Sequence, residues 1–479
     1  MEAQKNLAVK VEAGDGGNDK GQFKSNFGFL MATVGSAVGL GNIWGFPYKM
    51  GNGGGFAFLA LYLIMMVIIG YPCLIGEFAI GRKSGKAAIG SYDRLDKRFA
   101  FNGWLATLTP FILLTFYCVL GGYVLKYLLA NIGDIFGAGW GVHGAESEAY
   151  FASFINSGVP ALVFSAIYII LTVLIVVGGV SGGIEKFCTV AMPGLFVLLA
   201  VTVVRSCTLP GAAEGLAFMF KPDLDVFKDG GWITILASAG GQVFFSLSLA
   251  SSCMIVYGSY LNKKENLEKD AVLVPAMDSL VAVLASMATI PATFAAGMEP
   301  EAGPGMLFVT LQTVFNSMGT AGPFFGTIFY LLVLFAALTS SIGLLEGVVS
   351  ALMDRAIDKG KKANRTKLCW GIIAISAIGS IIVSLDALGT GPLPEPFGLS
   401  SWLDFFDLFG EGFMMPIGGL IMAILLGWIH KGYIDDEIRM GSAYKSKPFV
   451  DFCLKWVAPL FLFFILIGQI NTFFGLGWL

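Results

Sequence analysis

The strongest constraint on this chain is a repeated pattern of long apolar runs. Eleven of them occur, near 27–48, 55–81, 103–129, 160–179, 188–206, 232–260, 272–297, 323–354, 367–386, 400–429 and 449–474. About 20 apolar residues are what an α-helix needs to cross the hydrocarbon core of a bilayer. Helices are favoured there because they satisfy their own backbone polar groups away from water. Composition agrees: 56 % of the 479 residues are hydrophobic, 13 % are charged, and the mean hydropathy is +0.76. An ordinary soluble domain carries about 25 % charged residues. The expected fold is therefore an all-α integral membrane protein of eleven transmembrane helices. Residues 21–479 form one transmembrane domain, and 1–20, rich in Gly, Asp, Asn and Lys, form a flexible tail. Met1–Lys10 has no apolar core, so no cleavable signal peptide is expected.

Loop charge sets the expected orientation. With the N-terminus in the cytoplasm, 25 of the 30 Lys and Arg residues fall on the inner side. The outer side keeps Lys49, Lys126, Arg205, Lys221 and Lys228. This asymmetry predicts a multi-pass protein of the cell membrane with its N-terminus inside and its C-terminus outside.

Several function classes are disfavoured. A net charge of −3 gives no footprint for nucleic acid. The seven cysteines are scattered without a C-x-x-C pair, so neither a zinc site nor a disulfide framework is suggested. The two histidines, His143 and His430, lie in or near loops. An enzyme is not expected, because histidine chemistry, paired carboxylates and a soluble catalytic domain are all missing. A channel would want a repeated pore loop, and none is seen.

Two runs are interrupted. The first contains Gly35-Ser36-Ala37-Val38-Gly39-Leu40-Gly41-Asn42. Gly35 and Gly39 alone could be small-residue helix packing. The sixth contains Gly240-Gly241-Gln242 and then Phe245-Ser246-Leu247-Ser248-Leu249-Ala250-Ser251-Ser252. One hydroxyl can bond back to its own helix, but a cluster at membrane depth points to an unwound stretch lining a cavity. Runs one and six are five apart, the spacing of two inverted five-helix repeats, about 27–206 and 232–429, with an extra helix at about 449–474. Broken segments at matching places in two halves point to a transporter's binding site. In the eighth run, Ala336, Thr339, Ser340 and Ser341 offer either self-bonded hydroxyls or oxygen ligands for a hard cation. Gly183 and Pro193 bracket a stretch of the fifth run that could unwind.

These residues resemble the neurotransmitter:sodium symporter family, and in particular its bacterial carriers of leucine and other hydrophobic amino acids. The resemblance rests on GSAVGLGN at 35–42, NGGG at 52–55, IGEFAIGR at 75–82, GQVFFSLSL at 241–249 and LTSSIGLLE at 338–346. It covers the chain from about Lys20 onward. It implies sodium-coupled symport of a neutral, hydrophobic α-amino acid by alternating access, without chloride. Carriage of another small zwitterion, or a non-transporting receptor or channel, are the alternatives.

Carried over residue by residue, the resemblance implies two sodium sites. The first uses the Ala37 carbonyl, Asn42, Ser246, Asp278 and the substrate carboxylate. The second uses the carbonyls of Gly35, Val38 and Ala336 with the hydroxyls of Thr339 and Ser340. The substrate carboxylate meets the amides of Gly39, Leu40 and Gly41 and the Tyr117 hydroxyl. Its remaining neighbours are Ala37, Leu113, Phe245, Ser246, Ser248, Leu249, Ser251, Ser340 and Leu344. On the inner side Lys20 and Asp354 resemble a charge pair, near Phe23 and Tyr260. On the outer side Asp407 is kept while its usual arginine is replaced by Gly45, so Lys49 is the expected substitute. Monoamine carriers of the family have an acid where Gly39 stands, so an amino acid is implied. Chloride-dependent members have Asn and Ser where this chain has Asp278 and Ala282, so a fixed carboxylate replaces the anion.

Overall fold

The computed structural model describes residues 22–227, 232–298 and 305–476, and the tail at 1–20 lies outside them. Helices account for the secondary structure throughout, with no strand among the described residues. Asn26–Ala37 (α1) and Gly41–Asn52 (α2) form a pair bent by 51°. Then come Phe56–Ser84 (α3), Lys97–Ile135 (α4), Val159–Val177 (α5) and Val180–Cys207 (α6). Trp232–Ser246 (α7) and Cys253–Ser259 (α8) are short helices separated by six residues of non-helical chain. Leu267–Ala295 (α9), Gly319–Asp358 (α10), Arg365–Gly389 (α11), Trp402–Ile429 (α12) and Lys447–Asn471 (α13) complete the bundle. Among the described residues nine helices are long and apolar enough to cross a membrane, and the bent pair α1–α2 makes a tenth crossing.

Lipid is as apolar as leucine, so packing between these helices relies on close approach and internal polar contacts. The long helix α10 lies against α4, and α1 packs on both α6 and α10. Close approach is visible at Gly35, where an added Cβ would sit 3.0 Å from Thr339 Cβ on α10.

Both interruptions expected from sequence are present. Helix α1 ends at Ala37 because Val38 turns to φ −72°, ψ 109°. The α7–α8 break is made differently, with Ser248, Ala250 and Ser252 at φ 49°, 55° and 65°. A left-handed conformation costs a non-glycine residue about 1–2 kcal/mol. Specific bonds offset it. The Ala250 amide donates to Glu77 Oε1 on α3 at 2.6 Å, Ser248 Oγ to the Ser36 carbonyl at 3.0 Å, and Ser252 Oγ to the Gly347 carbonyl at 3.2 Å.

The stretch between Gly183 and Pro193, which the sequence suggests could unwind, is wound in this structure. A π-helical turn over Val180–Ile184 leads into an α-helix that continues through Pro193. Gly183 is needed for a different reason, since a Cβ there would lie 2.0 Å from the Ile175 carbonyl.

Candidate functional site

The two breaks meet at one small cavity of about 20 Å³, lined by Ser36, Ala37, Gly39, Gly41, Leu113, Tyr117, Phe245, Ser246, Ser248, Ser340, Leu344 and Met415. A cavity of that size holds about one water. Helix α4 supplies Leu113 and Tyr117, α10 supplies Ser340 and Leu344, and α12 supplies Met415. Gly39 is indispensable to the shape. A Cβ there would lie 2.3 Å from Ser340 Oγ and 2.6 Å from the Tyr117 hydroxyl. Phe245 covers Gly41, whose added Cβ would lie 2.7 Å from that ring. The Leu40 amide donates to the Tyr117 hydroxyl at 3.0 Å, so Leu40 contributes backbone and not side chain.

Beside the cavity is a buried polar cluster. Asn42 Nδ2 donates to Ser246 Oγ at 2.9 Å and to Asp278 Oδ1 at 2.7 Å. Ser246 Oγ and the Tyr62 hydroxyl donate to Asp278 Oδ2, at 2.7 and 3.1 Å. Asn42 Oδ1 accepts from the Gly39 amide at 3.0 Å. Asn42, Tyr62 and Asp278 are fully buried. A carboxylate at that depth is costly and marks function by default. Gln242 Nε2 braces the break from above by donating to the Gly41 carbonyl at 2.9 Å.

A second oxygen cluster joins α1 to α10. Ser340 Oγ lies 3.0 Å from the Val38 carbonyl and 3.3 Å from that of Gly35. Thr339 Oγ1 donates within its own helix, 3.0 Å from the carbonyls of both Phe335 and Ala336. One hydroxyl proton cannot serve two carbonyls fully, so the cluster has more acceptors than donors. That surplus suits a hard cation.

Three residues expected at the substrate do not line the cavity: Leu40, Leu249 and Ser251. Leu249 and Ser251 are fully buried, and Ser251 Oγ is spent on the Ser248 carbonyl at 2.5 Å. Ser36 and Met415 line the cavity and were not anticipated. Ser36 sits in the quoted motif and could have been found; Met415 carries no distinguishing signal.

The outer charge pair needs correction. Lys49 Nζ binds Glu411 Oε1 at 2.7 Å, not Asp407. Both acids lie within electrostatic range of the lysine. The π-helical turns over Leu408–Met414 carry the longer glutamate side chain to α2.

At the end of the bundle where α1 begins, the ring of Phe23 packs edge-on against Phe29, Tyr257 and Tyr260, at centroid distances of 5.6, 5.9 and 6.2 Å. The Tyr260 hydroxyl is 2.6 Å from Glu346 Oε1, and Glu346 pairs with Arg365. Asp354 Oδ2 accepts from the Ala87 amide at 2.7 Å, while Lys20, its expected partner, lies outside the described residues. Glu185, which sequence reasoning missed, accepts from the Lys24 amide at 2.9 Å and from the Ser25 amide and hydroxyl. It thereby ties the start of α1 to α6.

Residues 20–140 and 152–478 match the family described as the sodium:neurotransmitter symporter family. The chain belongs to this family. Among its relatives is YhdH of Bacillus subtilis (strain 168), an uncharacterized sodium-dependent transporter. It is 36 % identical over 94 % of this chain and 98 % of its own length. An uncharacterized sodium-dependent transporter of Haemophilus influenzae is 31 % identical over the same shares. The crystal structure of MhsT in complex with L-phenylalanine superposes with a TM-score of 0.84 at 35 % identity, covering 94 % of this chain and 99 % of that one. This symporter-family chain is thus a sodium-dependent membrane transporter and not an enzyme.

Proposed function

We propose that this protein couples sodium entry to uptake of a neutral α-amino acid with a hydrophobic side chain, independently of chloride. The observation that carries the reading is the meeting of both chain breaks at one cavity edged by Asn42, Ser246 and Asp278. The phenylalanine bound by MhsT supports the substrate class.

The substrate carboxylate lies at the Gly39–Gly41 segment and Tyr117, where half-helix amides favour an anion. The first sodium touches that carboxylate, the Ala37 carbonyl, Ser246 and Asp278. Turning the Asn42 amide over puts Oδ1 in place of Nδ2 and completes an all-oxygen set. Anion and cation are each costly alone in a low dielectric, so each raises the other's affinity. The side chain faces Leu113, Phe245, Leu344 and Met415. The second sodium bridges α1 to α10 through Gly35, Val38, Ala336, Thr339 and Ser340, and its inward release frees α1 to move. Asp278 supplies the negative charge that an anion would otherwise bring. The architecture behind this cycle is eleven spans, α7 with α8 forming the sixth, in two inverted repeats with an extra C-terminal helix, N-terminus inside.

The test is uptake of radiolabelled leucine, phenylalanine and tryptophan into proteoliposomes. Accumulation driven by a sodium gradient, absent in potassium and equal in gluconate and chloride, is expected. Chloride dependence overturns the anion reading. Ohmic sodium current without uptake overturns symport.

A further inference from the structure

A groove of about 410 Å³ runs along the outer surface of the bundle between α5, α6 and α10. Its lining is Leu174, Ile175, Phe187, Val190, Ala191 and Phe335, with glycines at 178, 182 and 183 and one cation, Lys186. No carboxylate lines it. The glycines arise from the tight α5–α6 turn, where Gly183 abuts the Ile175 carbonyl, and they leave a floor without side chains. Leu174 and Val190 are 60 % and 72 % exposed, so the groove opens toward hydrocarbon.

Gly182, Lys186 and Val190 recur every four residues within α6 and so form a stripe along one side of it. Lys186 is exposed in the middle of that stripe, two turns into α6. Its ammonium has no carboxylate partner among the described residues. The neighbouring acid, Glu185, points the other way and is occupied by Lys24 and Ser25. Arg365, the other cation nearby, is committed to Glu346 and to the Val176 carbonyl. A long lysine at the mouth of an apolar groove can reach the headgroup layer while its stem covers the groove wall. Basic pockets between transmembrane helices select anionic headgroups.

We propose that this groove is a binding site for an anionic phospholipid, with one acyl chain against the glycine floor and Phe335 and the phosphate on Lys186. The inference needs only that the chain spans a bilayer, so it stands or falls apart from the substrate reading.

Native mass spectrometry of the purified protein, given equimolar phosphatidylglycerol and phosphatidylcholine with the same chains, tests it. The unaltered protein should retain phosphatidylglycerol several-fold over phosphatidylcholine. Lys186→Gln should retain the two equally. Gly182→Leu should lose both, because a leucine there fills the floor. A Cβ at Gly182 meets nothing within 4 Å and its φ is not left-handed, so the fold survives, as an unchanged Tm would verify. Equal retention by the unaltered protein overturns the proposal. So does selectivity that persists in Lys186→Gln, or full retention by a folded Gly182→Leu.

Discussion

The two chain breaks face each other across the cavity yet are built on opposite principles. The first, between α1 and α2, is made of Val38, Gly39 and Leu40 in unstrained conformations, and its importance lies in the side chain that Gly39 omits. The second, between α7 and α8, forces three non-glycine residues into the left-handed region and holds them with bonds from α1, α3 and α10. A break of the first kind offers open amides and carbonyls and is intolerant of bulk. A break of the second kind tolerates side chains but depends on its braces. The difference predicts that the first fails by steric filling and the second by loss of a remote partner.

Gly39→Ala should give the largest effect. Its methyl group would occupy the space within 2.3 Å of Ser340 Oγ and 2.6 Å of the Tyr117 hydroxyl. Uptake should fall about 100-fold or more, equivalent to about 3 kcal/mol, while folding in detergent is retained. Near-normal uptake by this variant would remove the distinction between the breaks. Asp278→Asn comes next. It keeps the shape of the Asn42–Ser246–Tyr62 cluster but removes the charge beside the first cation. Sodium-driven uptake should drop on the order of tenfold, about 1.4 kcal/mol, and become sensitive to chloride. A fully active variant indifferent to chloride would show that the carboxylate does not stand in for the anion.

Glu77→Gln tests the brace of the second break. Glu77 is fully buried, and its Oε1 receives the Ala250 amide. Glutamine retains an acceptor for the Ala250 amide but sets an NH2 donor where Glu77 Oε2 lies buried without a partner, so stability should fall by roughly 1–2 kcal/mol. The Tm should drop by a few degrees with less change in uptake than Gly39→Ala. If the Tm is unmoved, the strained conformers at 248, 250 and 252 are not held by this carboxylate.

Much of this was legible in the sequence, for identifiable reasons. Apolar runs announced the helices because the bilayer fixes their length. The breaks were legible because Gly39, Gly41 and the serines at 246, 248 and 251 are out of place in a continuous membrane helix. What escaped was whatever depends on side-chain direction. Ser251 fits the serine pattern but turns to its own backbone, whereas Ser36 lines the cavity. Met415 reaches the cavity, and Glu185 the start of α1, only because distant helices fold back.

The smallest effect concerns how the outer arm of the first break is held. Asp278 and Gln242 brace helix α2 at Asn42 and Gly41, and its tie to α12 near the other end is Lys49–Glu411. The sequence pointed to Asp407, one helical turn earlier. Lys49 is 21 % exposed and Glu411 8 %, so the pair is mostly buried and its desolvation cost cancels much of its attraction, leaving a small net worth. A double-mutant cycle separates the two acids. Lys49→Ala and Glu411→Gln should each slow uptake slightly, and together no more than either alone, because both remove one contact. Lys49→Ala with Asp407→Asn should instead combine additively. Coupling to Asp407 with none to Glu411 would restore the sequence-based pairing. Additivity with both would mean that the Lys49 end of α2 is held by packing alone, leaving Asn42 and Gly41 as the braced part of that helix.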